Sequence, residues 1–225
     1  MIRNEIIMLL LSVFILVMII YTIINIPTVY AEFIRYKNDS NILFIHIPKT
    51  GGNSFIDTFE NIMYINHHES LKHNYMNLEN KYKITIVRNP YRRCVSAYNY
   101  LKNGGMVIAD IYYQFLIKEY DNFKDFVKDL VILANNKKVL HLIPQYKFIE
   151  KDGKILVDKI MKLENIDNEL NDFCLENNLE CPKKLQKKNK SKHKDYREYY
   201  DKETQDLVYN FYKKDFDLLG YSYEL

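Results

Sequence analysis

The chain has 225 residues, 32 Lys and Arg against 29 Asp and Glu, and a formal net charge of +3. So small an excess excludes a broad nucleic-acid footprint, and the length allows one well-buried domain of about 190 residues beside a short flanking segment. Three cysteines leave at least one thiol unpaired.

The first element in chain order is apolar. No charged residue occurs between Glu5 and Glu32, and Ile6 to Ile24 is almost wholly Ile, Leu, Met, Val and Phe. At about 1.5 Å per residue this stretch nearly crosses a hydrocarbon core of roughly 30 Å, so it reads as one N-terminal transmembrane helix. A cleaved signal peptide is the competing reading, with small residues around Val29-Tyr-Ala31. Arg3 on one side and Arg35 and Lys37 on the other leave the orientation open. Residues 1–32 are thus expected to anchor the chain and 33–225 to form its folded domain.

That domain opens with Ile42-Leu-Phe-Ile-His-Ile-Pro-Lys-Thr-Gly-Gly-Asn-Ser54. An apolar strand, Asn41 to Ile47, runs into a turn and then a helix from about Ser54, which carries Phe55, Ile56, Phe59 and Ile62 inward. The turn suits anion binding. Gly51 and Gly52 let the backbone approach a ligand, Lys49 brings a compact charge, and Thr50 and Ser54 offer hydroxyls. It is not the ordinary phosphate loop of nucleoside triphosphatases, because the lysine precedes both glycines.

Ile84-Thr-Ile-Val-Arg-Asn-Pro-Tyr-Arg-Arg-Cys-Val-Ser-Ala-Tyr-Asn-Tyr100 repeats the order of strand, turn and helix. Its strand is Lys83 to Val87 and its helix Tyr91 to Lys102, stopped by Gly104-Gly105. Arg88 leaves the strand and Ser96 lies one to two helical turns on, so both could grip one phosphate. Two anion motifs imply a ligand with phosphates at two separate places.

Helices follow at about Tyr112 to Glu119 and Asn122 to Leu133, strands at Lys154 to Val157 and Lys159 to Leu163, and helices at Ile166 to Glu176 and Lys202 to Phe211. Strand exits that carry the motifs fit a three-layer α/β domain, a central parallel sheet with its site beyond the carboxyl ends of the strands.

The motifs at 46–54 and 87–98 together resemble the membrane-anchored carbohydrate sulfotransferases of the family 2 type, which use 3'-phosphoadenosine-5'-phosphosulfate. The likeness extends through Pro144-Gln145, Lys162-Leu-Glu-Asn165, Asn189-Lys-Ser191 and the ending Tyr199 to Tyr221. It implies a sulfotransferase fold related to the P-loop nucleotide kinases. It also implies that Lys49, Thr50, Gly51, Gly52, Asn53 and Ser54 hold the phosphosulfate, and that Arg88 and Ser96 hold the 3'-phosphate. Asn53 stands where the family usually has threonine. Lys190 and Ser191 fall where the family closes over its donor.

Sulfuryl transfer needs a base for the acceptor hydroxyl and cations around the moving group. Lys49 meets the charge near the bridging oxygen. Of the histidines in the first half, His46 lies inside the strand and reads as packing or orienting the loop. The resemblance puts the base between the two motifs, which makes His67 the first candidate and His68 the second, with Glu69 and His73 behind them. Gln145 and Glu164-Asn165 could meet substrate, or could cap a loop and a helix.

The implied acceptor is a carbohydrate hydroxyl, and an anionic glycan is one that the lysines between Lys183 and Lys194 would attract. Residue spacing suggests no metal. Cys174 and Cys181 could bridge in an oxidising lumen. The compartment follows the host: a Golgi membrane with a lumenal domain in a eukaryotic type of cell, the cytoplasmic face of the inner membrane in a bacterium. The rival functions are an ATP-dependent small-molecule kinase, which would need a Mg²⁺-holding carboxylate after a strand, and a silent, membrane-tethered glycan-binding protein.

Overall fold

The computed structural model describes residues 12–14, 16, 40–59, 63–66, 80–105, 108–182, 185 and 194–225, with the backbone alone at 63–66, 108 and 109. Two compact units divide the chain, Met1–Arg35 and Tyr36–Leu225. In the first, residues 12–14 and 16 are helical and exposed. The expected transmembrane segment otherwise lies outside the described residues. Among those residues no helix is long and apolar enough to cross a membrane.

The second unit is an α/β fold around a parallel sheet. Its strands are β1 (Ile42–His46), β2 (Met63–Asn66), β3 (Tyr82–Val87) and β6 (Lys159–Lys162), in the order β2-β1-β3-β6. All three pairings are parallel. Short strands β4 (Glu150–Lys151) and β5 (Lys154–Ile155) form a separate antiparallel hairpin.

Because successive side chains of a strand point to opposite faces, β1 serves two cores. Leu43, Ile45 and Ile47 join a cluster with Val87, Tyr91, Val95, Leu101 and Phe216. Phe44 joins the other, with Phe55, Phe59, Ile84, Ile86, Met161 and Phe173. Burial on both faces explains why β1 reads as a nearly unbroken apolar run. The first cluster packs α2 (Pro90–Lys102), α4 (Phe123–Lys128) and α7 (Lys202–Phe211) on one face; the second packs α1 (Gly52–Thr58) and α6 (Ile166–Glu176) on the other. The remaining helices are α3 (Ile108–Lys118), α5 (Tyr146–Ile149) and α8 (Lys213–Leu219).

Local chemistry sets the ends of these elements. Pro90 begins α2, where a missing N–H costs nothing, and the Asn89 side chain accepts from the N–H groups of Tyr91 and Arg92 at 3.0 and 3.2 Å. Asp201 caps α7 by accepting from the Thr204 N–H at 2.8 Å. On the second face Phe55 lies with ring centroids 4.5 Å from Phe44 and 4.8 Å from Phe59. Truncating such a residue to alanine costs about 3–5 kcal/mol.

Four expectations need correction. The helix after the first turn stops at Thr58, short of Ile62, and the chain forms the edge strand β2 instead, in register with β1 from Leu43 opposite Met63. The helix expected over 122–133 is interrupted at Asp129 and resumes at residues 130–131, widening into a π-type turn over Ile132–Asn136. Asn165 does not cap α6; its Oδ1 accepts from Asn168 Nδ2 at 2.9 Å. Cys174 and Cys181 are free thiols, with Cys181 Sγ donating to the Leu170 carbonyl at 3.4 Å.

Candidate active site

The carboxyl ends of β1, β3 and β6 put three segments side by side: the turn from Pro48 to Gly51, the Arg88-Asn89 exit, and Leu163–Asn165. This is where an open parallel sheet offers a crevice.

The first turn has an unusual backbone. Lys49 adopts φ 69° and Gly51 φ 83°, a region that a non-glycine residue enters only when its surroundings hold it there. Gly51 is required by its positive φ and Gly52 by its packing. A Cβ on Gly51 would lie 2.7 Å from Leu163 Cδ1, and one on Gly52 would lie 2.1 Å from the His46 ring. His46, 5 % exposed, therefore packs under the start of α1, as its place inside the strand suggested. Thr50 is buried and its hydroxyl donates to the Ile47 carbonyl at 2.8 Å, so that proton shapes the turn. Ser54 is buried in the first turn of α1, and Asn53 is exposed beside it.

Arginines clamp this turn from below. Arg88 Nη1 donates to the Lys49 carbonyl at 3.2 Å, and Arg93 Nε donates to the Pro48 carbonyl at 2.9 Å. The second motif thus reaches the first directly, across 39 residues of chain. Ser96 is buried in α2, 6 % exposed.

Arg88 is itself fixed by its backbone. Gln145 Oε1 accepts from the Arg88 N–H at 2.9 Å while its Nε2 donates to the Arg88 carbonyl at 2.8 Å. Asp215 in turn accepts from the N–H groups of Gln145 and Tyr146, both at 2.8 Å. Glu164 accepts from the Asn89 N–H at 2.9 Å and from the Tyr221 hydroxyl at 3.0 Å, tying β6 and the C-terminal segment to the second turn. Gln145 and Glu164, expected either to meet substrate or to cap, are therefore engaged in holding the turns.

The electrostatics of the site are set by positive charge drawn out of water. Burial lowers the Lys49 ammonium from its ordinary value to about 7, and Arg88 beside it pushes the same way. Burial likewise lowers Arg88 to about 10, with Glu164 opposing. Arg93 is also lowered by burial, and among the described residues its Nη2 has no hydrogen-bond partner. Burial raises Asp215 to about 6 against the pull of the backbone N–H groups that it accepts from. Lys49, Arg88 and Arg93 crowd one glycine turn. Burial holds all three below their ordinary values, although Asp110, Glu164 and Asp215 respectively favour their charged forms, and an anion would relieve this.

A family model described as the sulfotransferase family matches residues 32–222. The chain belongs to the sulfotransferase family. No curated protein and no solved structure matches it. Family membership supports a transferase that moves sulfuryl groups, over a span that runs slightly beyond the motif resemblance at both ends.

The expected base and lid residues fall elsewhere. His67, His68, Glu69 and His73, together with Lys190 and Ser191, lie outside the described residues. Four side chains of the site had no role from sequence: Arg93, Asp215, and, beside the Lys49 ammonium, Tyr100, whose ring centroid lies 3.4 Å from Nζ, and Asp110, which accepts from the Tyr100 hydroxyl. Arg93 stood inside a quoted motif, and its signal was a second arginine on the helix face that carries Cys94 and Ala97 into the core. Asp110, Tyr100 and Asp215 left no local signal, because their partners are distant in sequence. Among the described residues no group of three metal-ligating side chains gathers.

Proposed function

We propose that this sulfotransferase moves the sulfuryl group of 3'-phosphoadenosine-5'-phosphosulfate to a carbohydrate hydroxyl. The observation that supports the donor is the convergence of Lys49, Arg88 and Arg93 on a turn whose two glycines leave no room for side chains. Such a cluster fits a phosphate-bearing ligand by charge.

In this reading Lys49 carries positive charge to the leaving side, the backbone from Thr50 to Ser54 surrounds the 5' end, and Arg88 with Ser96 answers the 3'-phosphate. The acceptor oxygen forms its bond to sulfur as the bond from sulfur to the phosphate oxygen breaks, and His67 takes the acceptor proton, with His68 as its alternate. Lys190 and Ser191 close over the donor. An N-terminal helix anchors residues 1–32, and the lysines from Lys183 to Lys194 favour an anionic glycan. The domain is lumenal in a Golgi membrane, or at the cytoplasmic face in a bacterium.

The test is transfer of radiolabelled sulfate from the donor to a panel of desulfated glycans. Labelled glycan that is lost in Lys49→Ala supports the reading. Label appearing only on non-carbohydrate acceptors such as phenols or peptidyl tyrosine would refute the acceptor class.

A further inference from the structure

The Lys49 side chain ends among groups that neither motif assigns. Its Nζ sits 3.4 Å from the centroid of the Tyr100 ring. The Tyr100 hydroxyl donates to Asp110 Oδ2 at 2.5 Å, and the other oxygen of Asp110 is 3.6 Å from His141 Nε2. The His141 ring closes the group, 5.2 Å from the Tyr100 ring centroid and 5.9 Å from that of Tyr113. Four parts of the fold contribute: the glycine turn, α2, α3 and the short turn at Leu140–Leu142.

Asp110 is only 2 % exposed. A carboxylate so far from water needs ionic and hydrogen-bond partners, and it costs stability that a purely apolar contact would not. Its place is also enforced. A Cβ on Gly105, which has φ +65°, would lie 2.3 Å from the Asp110 Cβ. Tyr100 presents the face of its ring to the ammonium and its hydroxyl to the carboxylate, so one side chain aligns both charges.

We propose that Asp110, steered by Tyr100 and His141, is a positioning residue that gives Lys49 its counter-charge and aims its ammonium. The inference rests on reading Lys49 as the donor-binding lysine. The groups facing Lys49 divide by sign. Arg88 at the β3 exit and Arg93 on α2 disfavour its charged form, whereas Asp110 on α3 favours it. Tyr100 contributes its ring, and His141 acts through Asp110. Since burial and both arginines leave Lys49 near 7, the counter-charge decides how much of it is ammonium at neutral pH. Without Asp110 the lysine titrates at lower pH, and the donor meets an uncharged amine.

Two measurements test this. The first needs no donor: the pH dependence of acetic anhydride labelling at Lys49, read by mass spectrometry of the peptide. In Asp110→Asn the midpoint should fall by about half a unit or more. The second is the pH profile of kcat/KM for the phosphosulfate donor, whose alkaline limb should move the same way. Whatever loss Asp110→Asn shows at pH 6 should deepen by about two- to threefold at pH 8, the consequence of half a unit.

An unmoved labelling midpoint in a folded variant overturns the proposal. A shifted midpoint in a protein that does not bind 3'-phosphoadenosine-5'-phosphate supports the counter-charge and refutes the donor reading, so the two failures are separable. If Asp110→Asn fails to fold, Tyr100→Phe decides, since it removes only the hydroxyl that holds the carboxylate. A fall in its labelling midpoint supports the assignment, and an unchanged midpoint overturns it.

Discussion

Replacing Gln145 by leucine tests how the two turns are coupled. Gln145 is fully buried, and its amide occupies both backbone groups of Arg88, at 2.9 and 2.8 Å. Leucine roughly keeps the volume but offers neither partner, so one N–H and one carbonyl lose their hydrogen bonds. Each unsatisfied buried group costs about 1–3 kcal/mol. Arg88 is half-buried, which lets water reach part of the gap, so the lower end applies and the sum is about 2–3 kcal/mol. For a domain of this size that lowers Tm by roughly 4–12 °C. The same change frees the guanidinium that clamps the Lys49 carbonyl, so KM for the donor should rise as well. Thermal unfolding by circular dichroism and steady-state kinetics read the two effects. A Tm within about 2 °C of the parent, with KM unchanged, would refute the coupling.

Lys49→Ala should lower turnover more than donor binding, because the ammonium meets charge that develops on the leaving side, whereas Arg88→Ala should mainly raise donor KM; saturation kinetics separate them, and equal turnover in Lys49→Ala and parent would remove the first role. His67→Ala should leave product-nucleotide affinity nearly intact and reduce turnover by about 10²–10⁴-fold, with loss of a pH limb near ~6.5; full activity there and in His68→Ala would transfer the search to Glu69 or His73. Lys49, lowered to about 7, is largely neutral at pH 8 and should gain a proton when an anion binds, since a negative neighbour raises a lysine. Calorimetry of 3'-phosphoadenosine-5'-phosphate binding at pH 8 in buffers of different ionisation enthalpy should therefore show proton uptake that Lys49→Ala lacks.

The elements legible in the sequence were those fixed by local pattern. The strand at Ile42–His46, the helix at Pro90–Lys102 and the helix at Lys202–Phe211 sit on apolar periods bounded by Pro, Gly or a capping side chain, and the helix at Ile166–Glu176 on an apolar period alone. Strand β2 was hidden because Met63–Asn66 is short and owes its form to the open edge of β1. Helix α8 was hidden because the chain re-enters a helix at Lys213 directly after Tyr212 ends the previous one.

At the site, Lys49, the two glycines and Arg88 were legible because anion chemistry demands those residue types in a turn after a strand. Their supports were not. Gln145 holds Arg88 from 57 residues away and Asp215 holds Gln145 from 70, distances that leave no spacing to read. Arg93 and Asp110 resemble ordinary helical surface charges until packing buries them to 1 and 2 % exposure.

Competitive calorimetry of 3'-phosphoadenosine-5'-phosphate against ATP–Mg²⁺ on the intact chain tests the central claim most directly. The account predicts saturable binding of the bisphosphate that weakens at least tenfold in Arg88→Ala, or about 1.4 kcal/mol, and less in Lys49→Ala, and weaker binding of ATP–Mg²⁺. Tighter binding of ATP–Mg²⁺, or bisphosphate binding indifferent to both substitutions, would contradict it.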